Sequence, residues 1–390
     1  MRGDAQGRVL VLDGFWNKTV AVVRSFGRRG LFVGVGERTR FAPAMFSRHC
    51  SRRFLHPSPI ECPERFLSAL EGELRAGGYD LLVATELSTQ AFIARHRDRV
   101  ERHARFPFAS EALSLRVEDK GALMAFAAER GVDCPATFFP SDPDEADSLA
   151  ERLPYPVLVK PRRSSGGRGI ARAGSPRDLV RAYRTVHARF PAPIVQECLP
   201  PGGDALGVAV LMNGSSVPRA SFAYRRLREY PPRGGQSTLR ESIREEALRK
   251  TAEDLLAALG WVGVAMAEFK VDPRDGRPKL LEVNPRFWGS LNHAIVCGVD
   301  FPWLLYRMAM EGDVEPQGEY RVGVRSRSFL PGELLHFARN PRRFRLKPGL
   351  MDFSIPDDLL SATDPWPALG RIPSLLATVH DREIRKVVFG

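Results

Sequence analysis

Glu268, Glu282, Asn284 and Arg286 are the residues whose types and spacing most directly imply chemistry. Glu268 sits in the apolar run 264–271, and the other three in 279–290. The turn-rich Asp-Pro-Arg-Asp-Gly-Arg-Pro of 272–278 lies between them and predicts a pair of strands joined by a tight connection. Glu268 and Glu282 are equidistant from Asp275, so a simple antiparallel hairpin sets them opposite each other. Side chains alternate faces along a strand, so Asn284 shares the face of Glu282. Two like charges directly opposite repel. A hard divalent cation removes the objection, because magnesium takes a few oxygen ligands from protein and the rest from water and phosphates. The competing reading is a solvated strand face with two incidental acids, and the Asn-Pro-Arg that follows favours the metal.

Three further segments carry polar chemistry. Lys160 closes the apolar strand 156–161, where a buried ammonium needs an anionic partner. The segment 162–169 that follows (Arg-Arg-Ser-Ser-Gly-Gly-Arg-Gly) lets backbone amides approach phosphates, although it lacks the P-loop spacing and a plain hairpin tip is the alternative. The run 195–200 is an apolar strand carrying Gln196 and Glu197. Its exposed end at Cys198 and Leu199 suits an adenine edge, with Asp204 placed for ribose hydroxyls; an ordinary strand end is equally compatible. Arg225, Arg226 and Ser237 border a basic strand and a Pro-Gly loop fit for an anionic substrate, with a solvated surface loop as the other reading. The eight histidines show no metal-ligand pattern, and His293 reads as a core or surface residue.

Alternating elements must position these groups. A strand at 8–13 leads through Gly14-Phe15-Trp16 to a helix over 17–29, and a strand follows at 31–35. A helix over 63–76 then feeds a strand at 79–84, which together predict a parallel α/β sheet. The first turn lacks G-x-G-x-x-G, so no dinucleotide fingerprint is present. Asn17 and Lys18 read as a helix start, with a substrate contact as the alternative. Beyond a boundary near 105–115 come a helix over 117–130, strands at 135–139, 156–161 and 170–172, a helix over 176–189 and a strand at 194–199. A β pair at 205–212 and 217–225 turns on Asn213-Gly214, and a helix over 243–259 leads to the hairpin. Weak helical patterns remain at 331–339 and 366–378.

The totals exclude several classes. The 390 residues allow two or three domains, and 43% hydrophobic with 27% charged residues is ordinary for a globular protein. No apolar run is long enough to span a membrane, and the N-terminus does not resemble a signal peptide, so a cytoplasmic protein is expected. Five scattered cysteines suggest reduced thiols rather than disulfides or zinc. The net charge of +12 is spread along the chain without a basic block, which favours a polyanionic small ligand over nucleic acid.

The order of parts from Lys120 to Asn284-Pro285-Arg286 resembles the ATP-grasp superfamily of carboxylate–amine ligases. The resemblance covers roughly 110–310. It implies a parallel-sheet, Rossmann-like N-terminal domain (1–110), a small subdomain (111–195), a large subdomain with the metal site (196–330) and a C-terminal extension (331–390). Lys120 and Lys160 would then bind nucleotide phosphates under a loop containing Ser165, Gly166, Gly167 and Gly169. The linker Gln196, Glu197, Cys198 and Leu199 would meet adenine. Glu268, Glu282 and Asn284 would hold magnesium, with manganese as a substitute, and Arg286 would stabilise the transferred phosphoryl group. Arg225, Arg226 and Ser237 fall where some such ligases carry a Gly-Gly-x-Ser loop. The implied activity is ATP-dependent activation of a small-molecule carboxylate as an acyl phosphate for attack by an amine, without nucleic-acid or membrane partners. A homo-oligomer is compatible with it. A non-catalytic ATP-binding protein is the alternative reading.

Overall fold

A computed structural model of the chain describes residues 7–164, 167–231 and 235–380. Four strands open it: β1 (Arg8–Val11), β2 (Phe32–Glu37), β3 (Arg52–Leu55) and β4 (Leu81–Val83). They are parallel, in the order β3-β2-β1-β4. Val9, Leu10, Val11, Leu81, Leu82 and Val83 are fully buried, as expected where helices cover both faces of a parallel sheet. The helix Asn17–Gly27 follows β1. The helix Pro63–Gly77 starts on proline and stops at Gly78, whose φ of +58° only glycine adopts freely. The strand order grows from β1 to β3 and then returns to the other side of β1 as β4. Beyond the carboxyl ends of β1 and β4 lies the switch point, where open α/β sheets form a ligand crevice.

Two antiparallel sheets follow. The smaller contains β5 (Thr137–Phe138), β6 (Val157–Lys160), β7 (Ala171–Ala173) and β8 (Ile194–Glu197), in the order β5-β8-β6-β7. Helices Pro143–Ala150 and Pro176–His187 bury Ala146, Leu179 and Tyr183 against Val157 and Val159. The larger contains β9 (Ala205–Met212), β10 (Pro218–Tyr230), β11 (Gln236–Ser242), β12 (Gly263–Val271), β13 (Pro278–Asn284) and β14 (Arg325–Arg327), in the order β13-β12-β9-β10-β11-β14. The helix Glu246–Ala258 lays Leu248, Ala252, Leu255 and Leu256 on one face, against Val208, Val210, Ala265 and Ala267. The other face buries Leu211, Phe222, Tyr224, Val264 and Met266 in one cluster with Phe287 and Trp288, and carries Glu268 farther along the same strand.

The helix expected over 117–130 is two helices, Glu111–Glu118 and Lys120–Glu129, broken at Asp119. The cause is local. The Asp119 carboxylate accepts the Ala122 amide at 3.0 Å, capping the second helix, and takes the Arg162 Nε at 2.9 Å. Aspartate competes with the helix in this way wherever a cap is available. The break makes Lys120 the first residue of a helix and turns its side chain into the site. Helices Leu87–Arg95, Leu291–Cys297 and Phe301–Glu311 fell outside the sequence reading. Residues 325–364 pack back on both large units: β14 edges the larger sheet, and Arg24 of the first helix bonds Asp364 at 2.9 Å.

Candidate functional site

The hairpin of β12 and β13 places Glu268 directly opposite Glu282 and Met266 opposite Asn284. Nearer the turn the pairing is Phe269 with Leu280 and Lys270 with Lys279. The register therefore shifts by one residue at Leu281. Without that bulge Glu268 would face Leu281 and the two acids would lie on opposite faces. The Asn284 side-chain amide lies 3.2 Å from Glu268 Oε1 and 3.3 Å from Glu282 Oε1, so one short side chain spans both carboxylates. On the neighbouring strand Glu268 pairs with Gly207, and a Cβ at Gly207 would come within 2.5 Å of the Tyr224 ring. The missing side chain lets Tyr224 and, two residues on, Arg226 lean across β9 toward Glu268.

Cations surround the acid pair. Arg226 forms an ion pair with Glu268. Lys120 Nζ lies 3.3 Å from Glu282 Oε2 and donates to Ser164 O at 2.6 Å, so it ties the larger sheet to the start of the glycine loop. Lys160 Nζ donates to Gln196 Oε1 at 2.6 Å, and Gln196 Nε2 in turn donates to Thr137 Oγ1 at 2.8 Å. Lys160 is 8% exposed, and burial, reinforced by the nearby Lys120, pushes its ammonium down to about 8. Burial raises the Glu268 carboxyl above its ordinary range despite Arg226. Burial raises Glu282 as well, but Lys120 with Lys160 and Arg226 beyond it more than offsets this, and the net shift is downward. The two acids thus divide as carboxylates sharing one site must.

Other expected residues are placed as follows. Gln196 is 1% exposed and its side chain supports Lys160 instead of lining the linker. The Glu197 carboxylate is engaged by Arg274 and by the Ala136 amide at 3.3 Å, and the Cys198 amide donates to Pro156 O at 3.1 Å. Leu199 is buried, and the Asp204 carboxylate lies 3.7 Å from Arg225. Arg225 does not join Arg226. Successive strand residues face opposite ways, and Arg225 is held by Glu241 at 2.6 Å on the far face. The Ser237 hydroxyl donates to Leu239 O of its own strand at 3.5 Å. Gly167 and Gly169 have positive φ in the loop after β6, whereas Ser165 and Gly166 lie outside the described residues. His293 is fully buried between Phe222 and Tyr224, with ring centroids at 5.3 and 5.9 Å.

A second wall includes Lys18, expected as a helix start with a substrate contact as the alternative, and Asp13 and Glu86, which the sequence reading missed. Lys18 Nζ lies 2.5 Å from Glu86 Oε1 and donates to Phe287 O at 3.2 Å, the carbonyl that also takes Arg286 Nη1 at 2.9 Å. Asp13, at the end of β1 with φ +65°, accepts the Thr85 and Glu86 amides at 2.7 and 2.8 Å. Burial, then Glu86, pushes its carboxyl up to about 6; burial, then Arg286, pushes Lys18 down to about 8. These residues lie at the carboxyl ends of β1 and β4, the switch point of the parallel sheet. That rule was the one available signal, and it acts here by bringing the crevice onto Arg286.

Among the described residues no three or more of His, Cys, Asp and Glu gather around one point that could hold a metal. The donor set is two carboxylates and a carboxamide on one face. That set fits magnesium, which keeps several water or phosphate oxygens in its shell, and would not satisfy zinc.

Comparison with known proteins follows this geometry. Residues 191–328 match a family described as ATP-grasp in the biosynthetic pathway with Ter operon. The carbamoyl phosphate synthase large chain of Thermotoga neapolitana is 31% identical over 177 residues, 43% of this chain and 16% of that protein. Urea amidolyase of Saccharomyces cerevisiae is 27% identical over 273 residues, 65% of this chain and 14% of that protein. The matches therefore span about a sixth of the length of these curated relatives. Among solved structures, biotin carboxylase of Campylobacter jejuni superposes with a TM-score of 0.69 at 16% identity, covering 82% of this chain and 74% of that one. L-amino acid ligase of Bacillus licheniformis gives 0.61 at 17% identity, covering 80% and 75%. N5-carboxyaminoimidazole synthetase of Staphylococcus aureus gives 0.62 at 12% identity, covering 82% and 80%. Among the described residues no helix is long and apolar enough to cross a membrane.

Proposed function

We propose that this chain, which is similar to ATP-grasp proteins over residues 191–328 and shares the fold of carboxylate–amine ligases, consumes ATP and magnesium to join a small-molecule carboxylate to an amine. One observation carries the reading: Glu268 directly opposite Glu282, with Asn284 reaching both. Opposed acids on a sheet are costly unless a cation is part of the working state. Glu268, Glu282 and Asn284 would hold magnesium, which when bound neutralises the phosphate oxygens. Lys160, fixed by Gln196, and Lys120, fixed at a helix start, would take the nucleotide phosphates where the two antiparallel sheets meet.

The substrate carboxylate attacks the γ-phosphorus and ADP leaves, giving an acyl phosphate. The amine nitrogen then attacks the carbonyl carbon, phosphate departs with the C–O electron pair, and the nitrogen loses a proton. Such transfer is served by positioning and charge neutralisation more than by covalent catalysis. Arg286, turned toward the crevice by its bond to Phe287 O, is the group we assign to the transferred phosphoryl oxygens. Arg226 sets the orientation of Glu268. The expected result of a phosphate-release screen over carboxylates paired with amines is release that needs ATP, magnesium and both substrates. A chain that binds ATP yet releases phosphate with no pair would instead be a nucleotide-binding protein working through conformation.

A further inference from the structure

We propose that Arg371 and the N-terminal turn of the helix Asn17–Gly27 form a binding site for the oxyanion end, carboxylate or phosphate, of a substrate that enters beside Arg286. The proposal rests on the ligase reading above and deepens it by giving one substrate an anionic group at a defined place. Arg371 belongs to the helix Trp366–His380 and is 5% exposed. Its contacts are neutral: Asn17 Oδ1, Ser374 Oγ at 3.4 Å and the Phe15 ring at 5.0 Å. Its Nε has no acceptor among the described residues. Among the other buried arginines Arg24 pairs with Asp364, Arg228 with Glu333 and Arg240 with Asp358. Arg327 shares with Arg371 an Nε without an acceptor among the described residues, but it donates to Leu350 O at 2.8 Å and lies against the Phe329 and Phe353 rings.

A buried guanidinium without a counter-ion is costly, and burial alone pushes Arg371 down to about 10. It is not needed as a clamp on the C-terminal segment, because Asp364 is already fixed by Arg24, Ser47 Oγ at 2.8 Å and the Arg48 amide at 2.9 Å. The helix it meets independently favours an anion. That helix has no side-chain cap and no acid in its first turn. The Thr19 and Val20 amides turn back to Trp16 O, leaving those of Asn17 and Lys18 without an acceptor among the described residues. Open amides at a helix start and a forked guanidinium together match an oxyanion. The site adjoins the reaction centre, since Lys18, next in that turn, shares the Phe287 carbonyl with Arg286.

The test is calorimetric titration of the full-length chain with inorganic phosphate and, separately, with acetate. Magnesium and a non-hydrolysable ATP analogue are kept saturating so that the nucleotide phosphate sites are filled. One of the two anions binds the wild type, and which one identifies the oxyanion. Arg371→Met weakens that binding at least about tenfold, with analogue affinity and melting temperature unchanged. Should that variant fail to fold, Arg371→Lys decides: a loss of about threefold or more supports the fork, and unchanged binding overturns it. No binding of either anion to the wild type, or equal binding to the Met variant, also overturns the site. Failure of the analogue to bind, with Arg371-dependent anion binding intact, would instead count against the ligase reading alone.

Discussion

Glu282→Gln is expected to lower the rate of ADP formation at least about 100-fold while the protein keeps its fold. The substitution leaves the side chain's size almost unchanged. It removes the carboxylate that Lys120 meets at 3.3 Å and that opposes Glu268 across the hairpin. Losing one of two acids weakens the hold on a divalent cation. It relieves the repulsion with Glu268 but also removes the charge that Lys120, Lys160 and Arg226 favour, so a modest fall in melting temperature with the fold retained is expected. Raising magnesium should recover part of the rate, because the lesion is in ion affinity. Steady-state ADP release against magnesium concentration, alongside thermal denaturation, checks both halves. Full turnover at ordinary magnesium would remove Glu282 from the metal site.

Lys160→Met is expected to separate function from stability in the opposite sense to most core substitutions. A phosphate contact that loses a buried cation typically weakens by about 2–4 kcal/mol, or roughly 30- to 1000-fold in ATP affinity. Folding stability should change by no more than about 1 kcal/mol, since losing the bond to Gln196 costs while removing a buried ammonium gains. Wild type carries a pH signature that the variant lacks. Lys160 binds its proton less tightly in the folded chain, at about 8, than at the model-compound value of 10.5. Its burial penalty is therefore present in full below pH 8 and disappears as pH rises from 8 to 10.5, so this residue makes the free protein relatively more stable across that window. ATP affinity should fall over the same range as the ammonium is lost. Denaturation and nucleotide titration of both proteins between pH 7 and 10 would show the two trends diverging. Parallel curves for wild type and variant would mean that Lys160 does not titrate there.

That Glu268 and Glu282 oppose each other was legible in sequence, because strand alternation and a turn-rich connector are local signals. The legibility was partly fortunate. Symmetry about Asp275 assumed an unbroken ladder, whereas the pairing near the turn runs one residue off and the bulge at Leu281 restores the match. Arg225 and Arg226 show the limit of alternation: it separates the two faces, but both faces bury core, one under the helix Glu246–Ala258 and the other with Phe287 and Trp288, so only tertiary packing decides where the acids stay accessible. The break at Asp119 lost to a strong helical pattern, because its partner Arg162 comes from a different element. The sequence marks Lys18 only as a helix start or a substrate contact and does not place Asp13 and Glu86 in a site, because Lys18 meets Phe287, 269 residues away, only after the parallel sheet docks on the hairpin sheet.

In the proposed reaction a carboxylate oxygen attacks the γ-phosphoryl group in the site built by Glu268, Glu282, Asn284 and Arg286. The direct measurement uses a carboxylate substrate from the phosphate-release screen, labelled with oxygen-18 in its carboxyl group, and mass analysis of the phosphate released in a single turnover. An acyl phosphate predicts that each phosphate carries one oxygen from the carboxylate. Released phosphate that carries no label would mean that water, not the carboxylate, attacked the γ-phosphorus, and would contradict the account.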